Sequence, residues 1–231
     1  MSIAENVAVI RAKMDAAAYS CGRDPKEILL CAATKMNDAE AVREALRSGV
    51  DLCGENRVQE LVQKQKEHAY DGAPVHFIGH LQTNKVKQVV GKVDLIQSVD
   101  SLRLLKAIDA EAAKQGIVQD ILLEVNVGEE ASKSGFLASE VLPILEQINE
   151  FPHIFVRGLM AIPPISQNSG DNRKFFQKIL QLSVDIRAKK YDNVLVNCLS
   201  MGMSDDYEDA IRCGSTMIRV GTAIFGKRNY S

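Results

Sequence analysis

The sequence has almost no excess of either charge. Lys and Arg number 28 against 30 Asp and Glu, a net charge of -2 at pH 7 with a pI near 6.1. A general nucleic-acid binder or a polybasic membrane binder needs a basic face, so neither is expected. No apolar run approaches the roughly 20 residues that cross a bilayer. Residues 1–20 carry charges throughout and lack the apolar centre of a signal peptide, so the expected location is the cytoplasm. The five cysteines, Cys21, Cys31, Cys53, Cys198 and Cys213, are widely spread, odd in number and without a CxxC pair. Neither a disulfide framework nor a metal site is expected, and the thiols read as reduced and mostly buried. No Ser/Gly-rich or Pro-rich tract divides the chain, so residues 1–231 are expected to form one domain.

What the chain does have is 46% hydrophobic residues arranged in short apolar runs that alternate with segments of helical period. The spacing of Val7, Ile10, Met14 and Ala18 predicts a helix over 4–19, closed by Gly22 and Pro25. An apolar run over 28–33 reads as a strand buried on both faces. Asn37 is a plausible N-cap with Glu40 at the capping-box position, for a helix that stops at Gly49. The unit then repeats: strands over 50–53, 75–78, 95–99, 121–127, 156–162 and 194–199 precede helices over 57–68, 84–90, 102–113, 137–149, 172–188 and 207–212, and a strand over 217–220 comes last. Residues 163–170 read as a longer loop. About eight strands alternating with helices suit a single (β/α)8 barrel, with the first helix standing where the helix after the last strand belongs. An open doubly wound sheet is disfavoured, because no G-x-G-x-x-G turn follows the first strand.

In such barrels the active face is the C-terminal end of the strands. Lys35 directly follows an apolar strand, so its amine should enter the barrel mouth. Burial there favours the neutral amine that Schiff-base chemistry with a carbonyl needs; the alternative is a lysine that reaches water or pairs with Glu55. Ser200, Gly221 and Thr222 lie after the seventh and eighth strands, the usual phosphate site. There a glycine lets backbone N–H groups approach and two hydroxyls add donors. Arg219, just before that glycine, either pairs with Asp205 or Glu208 or donates to a heterocyclic nitrogen. An imine-forming lysine, a phosphate cradle and an arginine together suggest pyridoxal 5'-phosphate (PLP). An arginine on the pyridine nitrogen keeps it unprotonated and makes the cofactor a poor electron sink, against transaminase or decarboxylase chemistry. Asn56 reads as a ligand contact or an N-cap. His80 reads as a ring contact or a structural histidine. Lys85, Lys87 and Lys92 read as a solvated face, and Met201 and Met203 as cavity lining or filler.

The residues that carry these roles lie in blocks that resemble the YggS-like PLP homeostasis proteins, the PLP-binding protein family. The blocks include Ala33-Thr34-Lys35, Gly54-Glu55-Asn56-Arg57, His76-Phe77-Ile78-Gly79-His80, Glu124-Val125-Asn126-Val127 before Ser132-Lys133-Ser134-Gly135, Arg157-Gly158-Leu159-Met160, Leu199-Ser200-Met201-Gly202-Met203-Ser204 and Ile218-Arg219-Val220-Gly221-Thr222. The likeness runs over essentially the whole chain. Met36-Asn37 and Val75 depart from the family's usual residues, which are often Thr or Phe soon followed by Pro, and Trp. The resemblance implies a single barrel like the N-terminal domain of alanine racemase, with PLP held as an aldimine on Lys35. It places Arg219 near the ring nitrogen, Asn56 and His80 beside the ring, and Ser200, Gly221 and Thr222 at the phosphate. It implies a role in vitamin B6 and amino-acid homeostasis without catalytic turnover, with PLP-dependent apo-enzymes as partners. No apolar stripe points to an obligate partner, so a monomer is expected.

Racemases of this barrel type also take a catalytic tyrosine from a second domain, for which this length leaves no room, and so no catalytic residue is assigned. Two other readings compete with the carrier. One is a racemase-type PLP enzyme with a narrow substrate, for which Tyr207 or another of the five tyrosines is the base. The other is a cofactor-free Schiff-base aldolase acting through Lys35.

Overall fold

The computed structural model describes residues 1–165 and 170–226. The strands are β1 (Leu29–Ala33), β2 (Leu52–Glu55), β3 (Val75–Phe77), β4 (Leu95–Val99), β5 (Gln119–Val125), β6 (Ile154–Ala161), β7 (Val194–Ser200) and β8 (Met217–Val220). They pair in chain order, each parallel to the next, and β8 closes on β1 through Leu30↔Ile218 and Cys31↔Arg219. The expected eight-stranded barrel is therefore the observed one. Around it run α1 (Ile3–Ser20), α2 (Ala39–Arg47), α3 (Val58–Lys66), α4 (Leu102–Gln115), α5 (Ala138–Glu146), α6 (Arg173–Ala188), α7 (Tyr207–Arg212) and the one-turn α8 (Thr222–Phe225).

Strand residues are apolar on both faces because each face has its own core. Leu30 and Ala32 of β1 and Ile218 and Val220 of β8 face outward and cluster with Val7, Ile10 and Met14 of α1. Inside the barrel, Cys31, Leu52 and Met217 form one cluster and Leu95, Leu122 and Met160 another. Helix α1 takes the place expected of it. Because α8 is only one turn long, α1 covers the β8–β1 seam, and Asn6 Nδ2 donates to the Ile224 carbonyl at 2.8 Å. A capping box of Ser2 and Glu5 starts α1. Gly158 marks a register shift between β6 and β7; its φ is +152°, and a Cβ there would overlap the Cys198 carbonyl.

The structure corrects several expected details. The N-cap of α2 is Asp38, which accepts from the Ala41 N–H at 2.8 Å, whereas Asn37 donates its Nδ2 to the Lys35 carbonyl at 3.0 Å. The helix expected over 84–90 is a 3-10 segment, Thr83–Gln88, in a stretch carrying the β-branched Val86, Val89 and Val90. Strand β2 lies two residues later than its apolar run. The helix expected over 137–149 splits into α5 and a 3-10 turn, Ile148–Glu150. The loop expected over 163–170 includes 166–169, which lie outside the described residues. Among the described residues, no helix is long and apolar enough to cross a membrane, and no cluster of His, Cys, Asp or Glu forms a metal site.

Met14 is 1% exposed between α1 and the barrel seam. Met14→Ala should cost about 2–5 kcal/mol, read as a lower denaturation midpoint at unchanged slope in urea; a change below about 0.5 kcal/mol would mean that α1 does not seal the barrel.

Candidate functional site

The mouth at the C-terminal ends of the strands is organised from below by a line of polar side chains in the apolar interior. Arg219, 4% exposed, donates Nη1 to the Ser200 carbonyl at 2.7 Å and to Ser200 Oγ at 2.6 Å, and Nη2 to the Ala161 carbonyl at 3.0 Å. Ser200 Oγ passes its one hydrogen to Gln97 Oε1 at 2.6 Å. The Gln97 amide nitrogen reaches His76 Nδ1 at 2.8 Å and Met217 Sδ at 3.1 Å. The direction of this line is set at one end, because a guanidinium only donates. His76 therefore accepts at Nδ1, and burial drives its pKa down to about 4, so the ring is neutral.

Among the described residues Arg219 has no carboxylate within ion-pair distance, so the pairing with Asp205 or Glu208 that sequence allowed does not form. Burial pulls its pKa down. These three bonds leave two of the guanidinium's five N–H groups. Ser200, expected as a phosphate contact, has its hydroxyl engaged below the mouth, with its hydrogen given to Gln97.

Lys35 sits in a turn that is tied at every step. The Thr34 N–H donates to the Gly54 carbonyl at 2.9 Å, and the Asn37 N–H to the Thr34 carbonyl at 3.2 Å. The buried Lys64 Nζ donates to the Thr34 carbonyl and to Glu55 Oε2, both at 2.7 Å, and Glu55 also accepts from Thr34 Oγ1 at 3.0 Å. The pairing of Lys35 with Glu55 that sequence allowed is thus replaced by a Lys64–Glu55 pair on the outer face of β2. Met36 adopts φ +61°, and its N–H donates to Glu60 Oε2 at 2.6 Å. Lys35 itself is half-buried at the strand end.

Gly221 and Thr222 begin α8 on the other side of β1. An added Cβ on Gly221 would lie 3.3 Å from Ala33 Cβ, so the glycine keeps the space between β8 and β1 open. The first two N–H groups of a helix have no partner inside it; here they belong to Thr222 and Ala223. The Thr222 side chain is at the surface. Asn56 is not an N-cap, since α3 is capped by Arg57 without a side-chain bond. Asn56 Oδ1 is instead buried with no partner. His80 is 61% exposed and pairs Nδ1 with Asp100 at 3.0 Å. Asn56 and His80 meet at a cavity of about 270 Å3, also lined by Ile78, Glu124, Lys133 and Ile162.

Sequence reasoning missed Gln97, His76, Glu124 and Lys64. For Gln97, His76 and Glu124 the available signal was a polar residue inside an apolar strand; Lys64 lies in the helix α3 and gave no such signal. Burial pushes the Glu124 carboxyl up to about 7, helped by Asp100 and opposed by Arg219 and His80. Burial likewise holds the Cys198 thiol up at about 11, protonated at neutral pH. Cys31, Cys53 and Cys213 are buried as expected and Cys198 is half-buried, but Cys21 is exposed. Among the described residues no tyrosine lines the cavity beside Asn56 and His80. Tyr207 packs outward against α1, with burial raising its hydroxyl to about 12, and Tyr70 stands behind β2 on Glu55 at 3.3 Å. Met201 is buried among the outer core residues and Met203 is partly exposed.

The profile of the alanine racemase N-terminal domain matches residues 2–229. The chain is 40% identical over 230 residues to the pyridoxal phosphate homeostasis protein of Aquifex aeolicus, covering 100% of both chains. It is 39% identical over 232 residues to the protein of the same name from Escherichia coli K12, covering 99% of this chain and 98% of that one. Among solved structures it is similar to PipY of Synechococcus elongatus PCC7942 with PLP bound, at a TM-score of 0.84 and 31% identity, covering 97% of this chain and 100% of that one.

The neutral His76 makes stability depend on pH. Its pKa is about 4 in the fold against 6.5 for an unperturbed histidine, so the unfolded chain binds more protons between those values. The stability gained from a neutral His76 is whole above about pH 6.5 and is lost as pH falls toward 4. A denaturation series over that window should show the slope in the unsubstituted chain and a shallower one in His76→Gln; equal slopes would mean that His76 titrates normally.

Proposed function

The chain belongs to the pyridoxal phosphate homeostasis protein family, and on that premise we propose that it binds PLP in the barrel mouth as a carrier or buffer of the cofactor, without catalytic turnover of its own. The Lys35 amine is the point of covalent attachment. PLP brings an aldehyde that a primary amine takes up with loss of water. The chain's own residues hold the rest. Backbone N–H groups of Thr222 and Ala223, with the Thr222 hydroxyl and the open space at Gly221, take the phosphate; Asn56 and His80 lie beside the ring; and Arg219 faces the ring nitrogen. Ser200 contributes by fixing Arg219.

The observation that carries this reading is the buried Arg219. A guanidinium without a carboxylate in a dry interior is costly, and its remaining N–H groups require acceptors. Carbonyls and a hydroxyl meet part of that need. A pyridine nitrogen suits the remaining N–H groups because it accepts without bringing a proton. An unprotonated nitrogen also weakens the ring as an electron sink, which fits a carrier better than an enzyme. The orphaned Asn56 Oδ1 fits the same ligand, since a buried acceptor without a partner wants a donor. The absence of a tyrosine at the Asn56–His80 cavity, among the described residues, supports the carrier over the racemase-type enzyme. The similar PipY, solved with PLP bound, supports it over the cofactor-free aldolase. The full reading is a one-domain cytoplasmic monomer over residues 1–231 that hands PLP to PLP-dependent apo-enzymes.

Purified protein should be yellow, and borohydride should fix PLP on Lys35. In Lys35→Ala no PLP should be fixed by borohydride, as read by mass spectrometry of the digested chain. Trapping on another lysine would move the site, and a chain that takes up no added PLP would overturn the reading. Racemisation or transamination of amino acids at about 1 s⁻¹ or faster would end the carrier role.

A further inference from the structure

Lys64 stands on a helix face that calls for an apolar residue. Val58, Leu61 and Lys64 of α3 recur at helical spacing, and all three are buried. The Lys64 side chain is 6% exposed and that of Glu55 0%. A lysine ammonium has three hydrogens, and here each has an acceptor: the Thr34 carbonyl and Glu55 Oε2 at 2.7 Å, and Glu60 Oε2 at 3.2 Å. The two carboxylates reach the same turn. Glu60 Oε2 accepts from the Met36 N–H at 2.6 Å, so the residues on either side of Lys35 are both held from α3. Glu55 Oε2 accepts from Thr34 Oγ1 at 3.0 Å, and its Oε1 accepts from the Asn56 N–H at 2.7 Å. One buried cluster thus ties the turn that carries Lys35, after β1, to the main chain of Asn56, after β2. Fold stability does not call for it. Replacing a buried ion pair by apolar side chains of similar volume is often neutral or stabilising, so an apolar residue would serve the packing of α3 as well.

We propose that Lys64 and Glu60 are positioning residues for Lys35 and, resting on the carrier reading for the ligand, that their hold on its turn sets how long the chain retains PLP. Both act through the backbone, from behind β2. An amine that takes up an aldehyde loses water; release returns the water and breaks the same carbon–nitrogen bond. Retention therefore needs the amine at one place relative to the groups that hold the rest of the ligand. The anchored Thr34 carbonyl and Met36 N–H fix where the main chain of Lys35 stands, and Glu55 fixes Asn56 against the same frame. Met36 has φ +61°, an unfavoured conformation for a residue with a side chain, so the turn relaxes when an anchor is removed.

The test is the rate at which the PLP-loaded full chain exchanges its cofactor with excess deuterated PLP, sampled by borohydride fixation and mass spectrometry at Lys35. One variant combines Lys64→Met with Glu55→Gln, which leaves no charge buried at the pair. Two more address the partly buried Glu60: Glu60→Ala removes the acceptor of the Met36 N–H, and Glu60→Gln keeps one. The double variant and Glu60→Ala should exchange about tenfold faster, the effect of losing one hydrogen bond to a charged group. Glu60→Gln should exchange near the unsubstituted rate, a rescue that a general loss of stability would not give. The Glu60 pair decides alone if the double variant does not fold. An unsubstituted rate in a folded double variant, or equal rates in Glu60→Ala and Glu60→Gln, would overturn the proposal. Amide hydrogen exchange of Met36 in the cofactor-free chain reads the same anchors without PLP and should be faster in Glu60→Ala than in the unsubstituted chain. A chain that takes up no PLP yet shows that difference would overturn the carrier reading and leave the positioning of Lys35 standing; its absence would overturn the positioning.

Discussion

A permanent cation in the interior of an apolar barrel sets the terms for the residues around it. Arg219 cannot shed its proton at any ordinary pH and can only donate. Each polar neighbour must then take up an orientation compatible with that. Ser200 Oγ accepts from Arg219 and so points its hydrogen at Gln97; Gln97 turns its carbonyl toward Ser200 and its amide nitrogen toward His76; His76 accepts. Reversing any member would set two donors face to face. The neutrality of His76 follows from the charge of Arg219 three side chains away, and burial pushes the ring in the same direction. A polar line of this kind is stable only when every member is satisfied, and two of Arg219's five N–H groups lie outside its three bonds to Ser200 and Ala161.

The wall behind Lys35 uses charge differently. Glu55 and Lys64 form a buried pair on the outer face of β2, and such pairs contribute little net stability because desolvation offsets their attraction. Their effect is geometric. Lys64 Nζ holds the Thr34 carbonyl, Glu55 holds the Thr34 hydroxyl, and Glu60 holds the Met36 N–H. Residues on both sides of Lys35 are thereby fixed from α3, including a left-handed Met36 that costs of order 1 kcal/mol by itself. The same cluster disposes of the departure at Met36-Asn37. Asn37 turns its amide to the Lys35 carbonyl, and Asp38 takes over the cap of α2.

The barrel was legible because a strand covered on both faces has to be apolar on both faces. The runs around Leu30, Ile96 and Leu123 are therefore recognisable without knowledge of their neighbours. The mouth residues were legible for a related reason: the rule that function sits at the strand C-termini turns a strand boundary into a list of candidates, and Lys35, Gly221 and Arg219 fall on it. Partners were not legible. Nothing in the spacing of Glu55 and Lys64 says that a lysine nine residues on bends back under β2 instead of leaving Glu55 to Lys35. Gln97 and His76 were visible as polar residues in apolar strands, but the line they belong to was not, because it runs from Gln97 to Ser200, 103 residues on, and from Ser200 to Arg219. Boundaries slipped where local preference and tertiary need part company, as at Thr83–Gln88, where Val86, with Val89 and Val90 just beyond, is placed by the core it fills.

The mouth is polarised across its width, and this bears on what it can hold. On the β7, β8 and α8 side stand Arg219, Thr222 and the first amides of a helix, all donors or positive. On the β2 to β5 side stand Glu124, Asp100 and the unpartnered Asn56 Oδ1, acceptors or negative, with His80 and Lys133 paired to Asp100 and Glu130. An anion alone would be drawn to the first side and repelled by the second, and a cation alone would meet the reverse. A pair of ligands, or one ligand with a phosphate at one end and an amine at the other, satisfies both sides together. Lys35 follows β1, which stands between β8 and β2 and so between the two sides.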